Sequence, residues 1–428
     1  MARLFGTDGV RGLANADLTP ELALALSASA ARVLTARRAV VGRDTRASGE
    51  LLEAAVVAGL AAAGCSVVRV GVLPTPGVAF LVPELGADLG VMLSASHNPM
   101  PDNGLKLFDA GGRKLPDDVE DRIEAGLAAA WDRPTGAEVG RVLDDPAAVE
   151  AYVEHLVASG RPLAGLRVVV DCANGAASAV APETLRRLGA EVVAIHAAPD
   201  GLNINEACGS THPESLAAAV LAEGAAVGVA HDGDADRCLL VDAAGELVDG
   251  NQILAILAVH RCVDAVAATV MANLGFKRAM DERGIEVVET KVGDRYVLEA
   301  MRARGLTLGG EQSGHVILAE HATTGDGVLT AVQVLSAMAT TGRSLADLAS
   351  VMTKLPQVLV NVRVADKDAA LAAATAAVEA AERELGADGR VLVRPSGTEP
   401  LVRVMVEATT EKTARAVAER VAEAVRAG

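Results

Sequence analysis

Three times in this chain a glycine closes a helical stretch and hands it to a short strand carrying two adjacent valines. Gly64 precedes Ser66-Val67-Val68, Gly189 precedes Glu191-Val192-Val193, and Gly284 precedes Glu286-Val287-Val288. Upstream of each glycine stand a helix, a polar loop and an earlier strand. The first copy runs from Val40-Val41 through the charged loop 42–46 and a helix over 48–63 into Ser66–Val70. The second runs from Leu166–Val170 through the loop 171–178 and a helix into Glu191–Ile195. The third runs from Ala268–Ala272 through Asn273-Leu274-Gly275 and a helix over 276–283 into Glu286–Glu289. Strand–helix–strand units of this size are right-handed parallel crossovers. Their spacing predicts three similar α/β domains with mixed, largely parallel sheets.

Past Lys354-Leu355-Pro356 the texture changes. A valine-rich strand (Val358–Val364), a long Ala/Glu/Arg helix (Lys367–Leu385), a strand, a loop and a terminal helix (Glu411–Gly428) predict a smaller α+β domain. Asp132–Asp145, rich in Pro, Gly and Asp, and the turn Glu246–Asn251 mark the expected boundaries. The predicted domains are therefore 1–145, 146–248, 249–356 and 357–428. At the first helix, Thr19-Pro20-Glu21 reads as a start: an N-cap hydroxyl, a first-turn proline, and an acid at the positive helix end.

Composition excludes several functions. A chain of 428 residues is too long for one core, and 51% hydrophobic residues with a mean hydropathy of +0.31 supply several. Aromatics make up only 2%, too few for a platform that stacks single-stranded nucleic acid. Acids outnumber bases 56 to 39, and the net charge of −17 opposes binding to nucleic acid or anionic membrane. An anionic small molecule would need a local cluster of Arg and Lys. Five scattered cysteines (Cys65, Cys172, Cys208, Cys238, Cys262), with no CxxC, suggest free thiols in a reducing compartment rather than disulfides or a zinc site. The segment MARLFGTDGVRG has no apolar h-region, and no uninterrupted apolar run reaches about 18 residues. A cytoplasmic protein is expected.

The stretch Val91–Phe108, VMLSASHNPMPDNGLKLF, carries the first chemistry. A buried strand end breaks into a loop that prolines, asparagines and glycine keep from being helical. It holds two hydroxyls, Ser94 and Ser96, the imidazole of His97, and further on the amine of Lys106. A hydroxyl on a rigid loop near cations suits a phosphoryl-accepting nucleophile. In His231-Asp232-Gly233-Asp234-Ala235-Asp236-Arg237, three alternating carboxylates offer hard oxygen ligands for Mg²⁺ or a similar ion. A calcium EF-hand is excluded: counted from Asp232, position six is Arg237 rather than glycine and position twelve is Ala243 rather than glutamate. In Thr307–His315, TLGGEQSGH, an extended strand would project Glu311, Ser313 and His315 to one side, towards sugar hydroxyls. In VRPSGTEPLVRVMV, the Ser396-Gly397-Thr398 turn with Arg394 and Arg403 would cradle a phosphate. Walker A, GxGxxG, GxSxG and HExxH are absent. His155, His196 and His260 read as structural. Cys172 and Cys208 lie in polar loops with no base beside either.

Four such loops in this order resemble the α-D-phosphohexomutase superfamily, over the whole chain. SASHNP with DNGLK is similar to its phosphoserine loop, DGDADR to its magnesium loop, GEQSGH to its sugar loop and RPSGTEP to its phosphate loop. FGTDGVRG, CGSTHPE and the glutamine of GEQSGH are most similar to the bacterial phosphoglucosamine mutases. The resemblance implies four domains in a heart shape around a central cleft. It also implies the interconversion of glucosamine 6-phosphate and glucosamine 1-phosphate through glucosamine 1,6-bisphosphate. By position Ser96 would be the phosphoserine, and it would share one Mg²⁺ with Asp232, Asp234 and Asp236. Arg237, Glu311, Ser313, Arg394, Ser396, Gly397, Thr398 and Arg403 would bind substrate. Arg11, His97, Lys106 and His315 would stand at the transferring group, any of them the general acid or base. Expected partners are small-molecule sugar phosphates, with a homodimer left open and neither nucleic acid nor membrane. Glucose or mannose phosphate as substrate, a metal-dependent phosphatase, and a non-catalytic sugar-phosphate sensor are the rival readings.

Overall fold

The computed structural model describes residues 3–6, 8–396 and 400–428. They form two compact units: Met1–Met271 with Ile285–Ser350, and Ala272–Gly284 with Val351–Gly428.

The first unit holds three sheets. In the first, β1 (Val10–Leu13), β2 (Arg38–Arg43), β3 (Ser66–Val72), β4 (Leu89–Leu93), β5 (Asp102–Asp109) and β6 (Val142–Asp144) lie in the order β1-β5-β4-β2-β3-β6. The second contains β7 (Arg167–Asp171), β8 (Glu191–Ile195), β9 (Val227–His231), β10 (Cys238–Asp242) and β11 (Leu247–Val248), ordered β11-β10-β9-β7-β8. The third contains β12 (Ala265–Thr269), β13 (Glu286–Thr290), β14 (Leu308–Gly310) and β15 (Val316–Leu318), ordered β13-β12-β14-β15.

One four-strand plan underlies all three. The first strand of each crossover is central (β2, β7, β12) and pairs in parallel with the returning strand (β3, β8, β13) on one side. On its other side it pairs in parallel with a third strand (β4, β9, β14). That third strand turns back into an antiparallel fourth (β5, β10, β15). The central strands are buried on both faces, which their Val- and Ala-rich runs require. The expected glycines do close the crossovers: Gly64, Gly189 and Gly284 have φ of +83°, +96° and +68°, a left-handed region that side chains disfavour.

Several sequence expectations shift in detail. The strand expected at Ala268–Ala272 lies at Ala265–Thr269. The apolar run through Ala272 hides its end, and the chain must turn early so that Asn273 can cap the helix Leu274–Asp281 through Gly275 N. Asp102, Asn103 and Gly104, read as loop, already belong to β5, so Lys106 stands within a strand and opposite Met92. The Pro/Gly-rich stretch 132–145 ends in β6, which pairs with β3. The helix start at Thr19 is as expected: its side chain accepts a hydrogen bond from Leu22 N.

The second unit packs an antiparallel sheet, β16 (Gln357–Arg363), β17 (Arg390–Pro395) and β18 (Leu401–Glu407), against helices Lys367–Leu385 and Glu411–Ala427. Val402, Val404 and Val406 from the central strand meet Ala370, Ala374, Val417 and Val421 in its core. The helix Leu274–Asp281 joins this unit. Asn273 Nδ2 donates to Leu355 O, Leu355 N donates to Asn273 Oδ1, and Leu274 N donates to the buried Glu407. Gly275 must be glycine, because a Cβ there would stand 1.9 Å from Thr353 O.

Candidate active site

In each sheet of the first unit the loop between the third and fourth strands carries one of the motifs. Ser96 lies between β4 and β5, the three aspartates between β9 and β10, and Glu311 and Ser313 between β14 and β15. All three loops lie at carboxyl ends of parallel strands, where open α/β sheets bind ligands.

The Ser96 loop is held in an unusual backbone shape. Ser96 is almost fully buried and has φ of +53°. A non-glycine residue persists there only when its surroundings over-determine it. Three side chains do so. Ser94 Oγ accepts from Ser96 N at 2.9 Å and donates to Asp44 Oδ2 at 2.6 Å. Arg46, completely buried, donates to Ser96 O (3.0 Å), Asn98 O (2.7 Å), Asp102 O (2.9 Å) and Pro99 O, while its Nε meets Asp44 Oδ2 at 2.9 Å. Asn205 Nδ2 donates to Ser96 O and Asn98 O at 2.9 and 3.0 Å. Ser94 is therefore a backbone clamp, which leaves Ser96 as the chemically available hydroxyl.

Ser96 Oγ donates to Asp232 Oδ2 at 2.5 Å and lies 3.4 Å from His97 Nδ1. Gly233 admits this approach, since a Cβ there would come within 2.6 Å of Ser96 O. Asp232, Asp234 and Asp236 are all buried, with one ligand oxygen from each inside a 4.8 Å cluster. Burial first, and then the charges of Asp236 and Asp234, push the Asp232 carboxyl far above the usual carboxylate range. Asp234 Oδ1 and Asp236 Oδ1 are buried oxygens with no hydrogen-bond donor among the described residues. Three converging carboxylates, two with a spare buried oxygen, fit a divalent cation with hard oxygen ligands.

A band of cations neutralises the rest. Lys106 Nζ, only 2% exposed, lies 2.7 Å from Asp234, 2.8 Å from Asp8 and 3.6 Å from Asp236. Burial opposes its charge, but those carboxylates outweigh burial and raise its pKa. Asp8 also pairs with Arg11 and Lys114, and Lys114 continues to Asp294. Burial alone would raise the Asp8 carboxyl, yet Lys106, Lys114 and Arg11 hold it well below the usual range. Arg11 Nη1 also donates to Ala95 O at 3.3 Å, next to Ser96. His315 sits between Asp236 (Nδ1, 3.6 Å) and Asp294 (Nε2, 3.7 Å). Its pKa is raised: burial opposes, and Asp236 prevails. Burial, then Arg237 and Arg11, push His97 the other way, down to about 4.

The third loop departs from expectation. TLGGEQSGH is not an extended strand but a tight hairpin, closed by Glu311 N to His315 O (2.9 Å) and Gly314 N to Glu311 O (3.1 Å). Gly314, with φ of +91°, allows the reversal. A turn rather than strand alternation thus presents these side chains. His315 forms an isolated bridge with Arg237, so the hairpin meets the aspartate loop directly. Ser313 Oγ is buried without a hydrogen-bond partner among the described residues, and Glu311 Oε1 accepts from Gly293 N at 3.1 Å.

In the second unit Arg394 and Arg403 are direct cross-strand partners on β17 and β18. Burial and then Arg403 lower the pKa of Arg394, as expected of two like charges placed together. Lys367 Nζ donates to Ser396 O at 2.8 Å. Gly397 and Thr398 lie outside the described residues.

Sequence reasoning missed Asp8, Asp44, Arg46, Lys114, Asn205 and Asp294. Asp8 had a signal, a lone acid among the glycines of FGTDGVRG; Lys114 and Asp294 had none. It also misread Cys208, expected to have no base nearby. His196 and Asp171 stand beside that thiol.

Models of the phosphoglucomutase/phosphomannomutase alpha/beta/alpha domains I, II and III match residues 2–132, 150–245 and 249–355, and the model of the C-terminal domain matches 359–424. The chain belongs to the phosphoglucomutase/phosphomannomutase family. Among relatives of known name, the phosphoglucosamine mutase of Salinispora arenicola is 63% identical over 445 residues, covering all of this chain and 99% of the relative. That of Streptomyces coelicolor is 61% identical over 448 residues, covering 100% and 99%. A phosphoglucomutase/phosphomannomutase family protein from Burkholderia thailandensis superposes with a TM-score of 0.85 at 27% identity, covering 99% of this chain and 97% of that one. Aspergillus fumigatus N-acetylphosphoglucosamine mutase, in complex with GlcNAc-6P and magnesium, shares the fold with a TM-score of 0.71 at 19% identity, covering 99% and 95%. No helix among the described residues is long and apolar enough to cross a membrane.

Proposed function

We propose that this chain is a phosphoglucosamine mutase. It interconverts glucosamine 6-phosphate and glucosamine 1-phosphate through a phosphorylated Ser96 and a glucosamine 1,6-bisphosphate intermediate. One observation carries the reading: Ser96 Oγ stands 2.5 Å from Asp232 in a three-carboxylate cluster faced by Lys106. The whole-length relatives at 61–63% identity supply the sugar.

Phosphoryl transfer asks mainly for position and charge neutralisation. Asp232, Asp234 and Asp236, with the phosphate on Ser96, would hold Mg²⁺. Mg²⁺ supplies charge that offsets the phosphate's about −1.5 to −2. Arg46, Ser94 and Asn205 fix the serine loop, so the phosphorus stays in line with the incoming hydroxyl. Lys106 and Arg11 stabilise negative charge as it shifts between oxygens. Locked among three carboxylates, Lys106 acts as a charge and not as a proton carrier. The sugar O–P bond forms as the Ser96 Oγ–P bond breaks. The hydroxyl proton then passes to Ser96 Oγ by way of His97, which is held neutral 3.4 Å away. Glu311 and Ser313 bind sugar hydroxyls, with Ser313 Oγ free to do so. Arg394, Ser396, Gly397, Thr398 and Arg403 grip the phosphate that is not reacting. A single serine serves both O1 and O6, so the bisphosphate must turn over and offer either phosphate to that grip.

Intact mass and peptide mapping of purified protein should place phosphate on Ser96. With Mg²⁺, kcat/KM should be highest on glucosamine 6-phosphate among the glucosamine, glucose and mannose 6-phosphates. Phosphate on another residue would overturn the nucleophile. A preference for glucose or mannose phosphate would overturn the substrate.

A further inference from the structure

A second cluster of ligand-type side chains lies one strand away from the aspartate loop. Asp171 ends β7, His196 follows β8, and Cys208 lies in the segment leading to the helix Glu214–Glu223. One ligand atom from each falls within the same 4.8 Å. Asp171 and Cys208 are completely buried, while the His196 side chain is 31% exposed and leaves a path to solvent.

The geometry is that of ligands rather than of a hydrogen bond. His196 Nδ1 and Asp171 Oδ2 are 3.0 Å apart, yet Nδ1 is a buried nitrogen without a hydrogen-bond partner among the described residues. Their closeness lacks the alignment a hydrogen bond needs. Around a tetrahedral ion with bonds of 2.0–2.1 Å, nitrogen and oxygen ligands stand about 3.3 Å apart. The carboxylate is already oriented: Oδ1 accepts from Ala173 N and Oδ2 from Gly209 N, both at 2.9 Å. Such outer hydrogen bonds are what aim a metal-binding carboxylate. Gly209 has no alternative, since a Cβ there would meet His231 O at 2.5 Å.

We propose that Asp171, His196 and Cys208 form a binding site for a thiophilic divalent ion, Zn²⁺ by its donor set, distinct from the Mg²⁺ site. One sulfur, one imidazole nitrogen and one carboxylate oxygen select Zn²⁺ over Mg²⁺, and water completes the tetrahedron. Binding forms the sulfur–metal bond and releases the thiol proton to solvent. A CxxC spacing marks only sites built within one segment, and this site is assembled from three separate ones. The ion would tie β7 to the segment that delivers Asn205 to the carbonyls of Ser96 and Asn98. It would thereby brace the serine loop without touching substrate.

The test uses Co²⁺ as a spectroscopic probe on full-length, chelator-treated protein. An equimolar addition should give a thiolate-to-cobalt charge-transfer band, which Zn²⁺ then displaces. Co²⁺ at the three aspartates cannot give this band, having no sulfur ligand. The band should persist in Cys262→Ala and in Asp232→Asn and be lost in Cys208→Ala. Should Cys208→Ala fail to fold, His196→Gln keeps the thiol and should shift or abolish the band. No band in the wild type, or an unchanged band in Cys208→Ala or His196→Gln, overturns the site.

Discussion

Ser96 and Asp232, 136 positions apart in the chain, meet at 2.5 Å with the serine hydroxyl donating to the carboxylate. That contact joins the first sheet's serine loop to the second sheet's acidic one. It also sets Ser96 Oγ against Asp232, which is buried beside two further carboxylates. A phosphate on Ser96 would add still more negative charge there. Phosphorylated protein should therefore gain more thermal stability from Mg²⁺ than unphosphorylated protein does, by linkage. Melting of the two forms with Mg²⁺ and with chelator checks this; equal gains would refute it.

Lys106→Met should destabilise the fold as well as stop turnover. It leaves Asp8, Asp234 and Asp236 without the ammonium that now lies within 3.6 Å of each. Removing one partner from a buried ion network costs about 3–5 kcal/mol. Urea unfolding in the presence of chelator measures the loss, and a change under 1 kcal/mol, to order of magnitude, would show the cluster to be far better solvated than its burial implies.

Arg46→Lys should lower kcat with little change in KM. A lysine keeps the charge beside Asp44, but one ammonium cannot reach the four carbonyls that the guanidinium fork spans. The substrate contacts stay in place while Ser96 loses its fixed position, and misplacement by about 1 Å can cost about a hundredfold. A rise in KM at constant kcat would contradict a positioning role.

Asp326 gives a pH signature outside the chemistry. It caps the helix Gly327–Thr341 through Leu329 N and accepts from Tyr152 OH at 2.8 Å. Burial raises its pKa to about 6 from 3.8. The folded state thus holds a proton that the unfolded state has lost between those values. Its contribution is fully present below about pH 4 and falls away as pH rises to about 6, by up to about 3 kcal/mol. Asp326→Asn, which cannot ionise, should flatten stability across that window in urea titrations at stepped pH.

Arg394→Ala should raise KM for the sugar phosphate more than it lowers kcat. A charge-assisted hydrogen bond is worth about 1.5–3 kcal/mol, or roughly ten- to a hundredfold in affinity. Steady-state kinetics on glucosamine 6-phosphate separates the two parameters. A fall confined to kcat would remove Arg394 from the distal grip.

The elements and the donor sets were legible in the sequence because neighbours in the chain decide them. Helix-closing glycines 64, 189 and 284 need left-handed backbone whatever surrounds them. Valine-rich runs form buried strands, and alternating aspartates on one short loop converge in one cluster. The hairpin of TLGGEQSGH was misread because the three residues of strand on either side look like continuous strand until Gly314 reverses the chain. The start of β5 was hidden for the converse reason: Asn103 and Gly104 are turn formers, and only pairing with Gly12 and Arg11 makes them strand.

What the sequence determined by itself is which groups are available: a serine, three carboxylates, the polar side chains of TLGGEQSGH and two arginines, each marked by its own short motif. What the tertiary structure decided is which of them meet. Arg46 and Asn205 clamp Ser96, Asp8 and Asp294 bracket Lys114, and Asp171 faces Cys208, all across separations that no periodicity encodes. Protonation follows from the same meetings. His97 and His315 are the same imidazole, yet burial and then Arg237 and Arg11 push one down, while Asp236 outweighs burial and raises the other. Charge acts through space in a low dielectric, so only the packing of three sheets could set their roles apart.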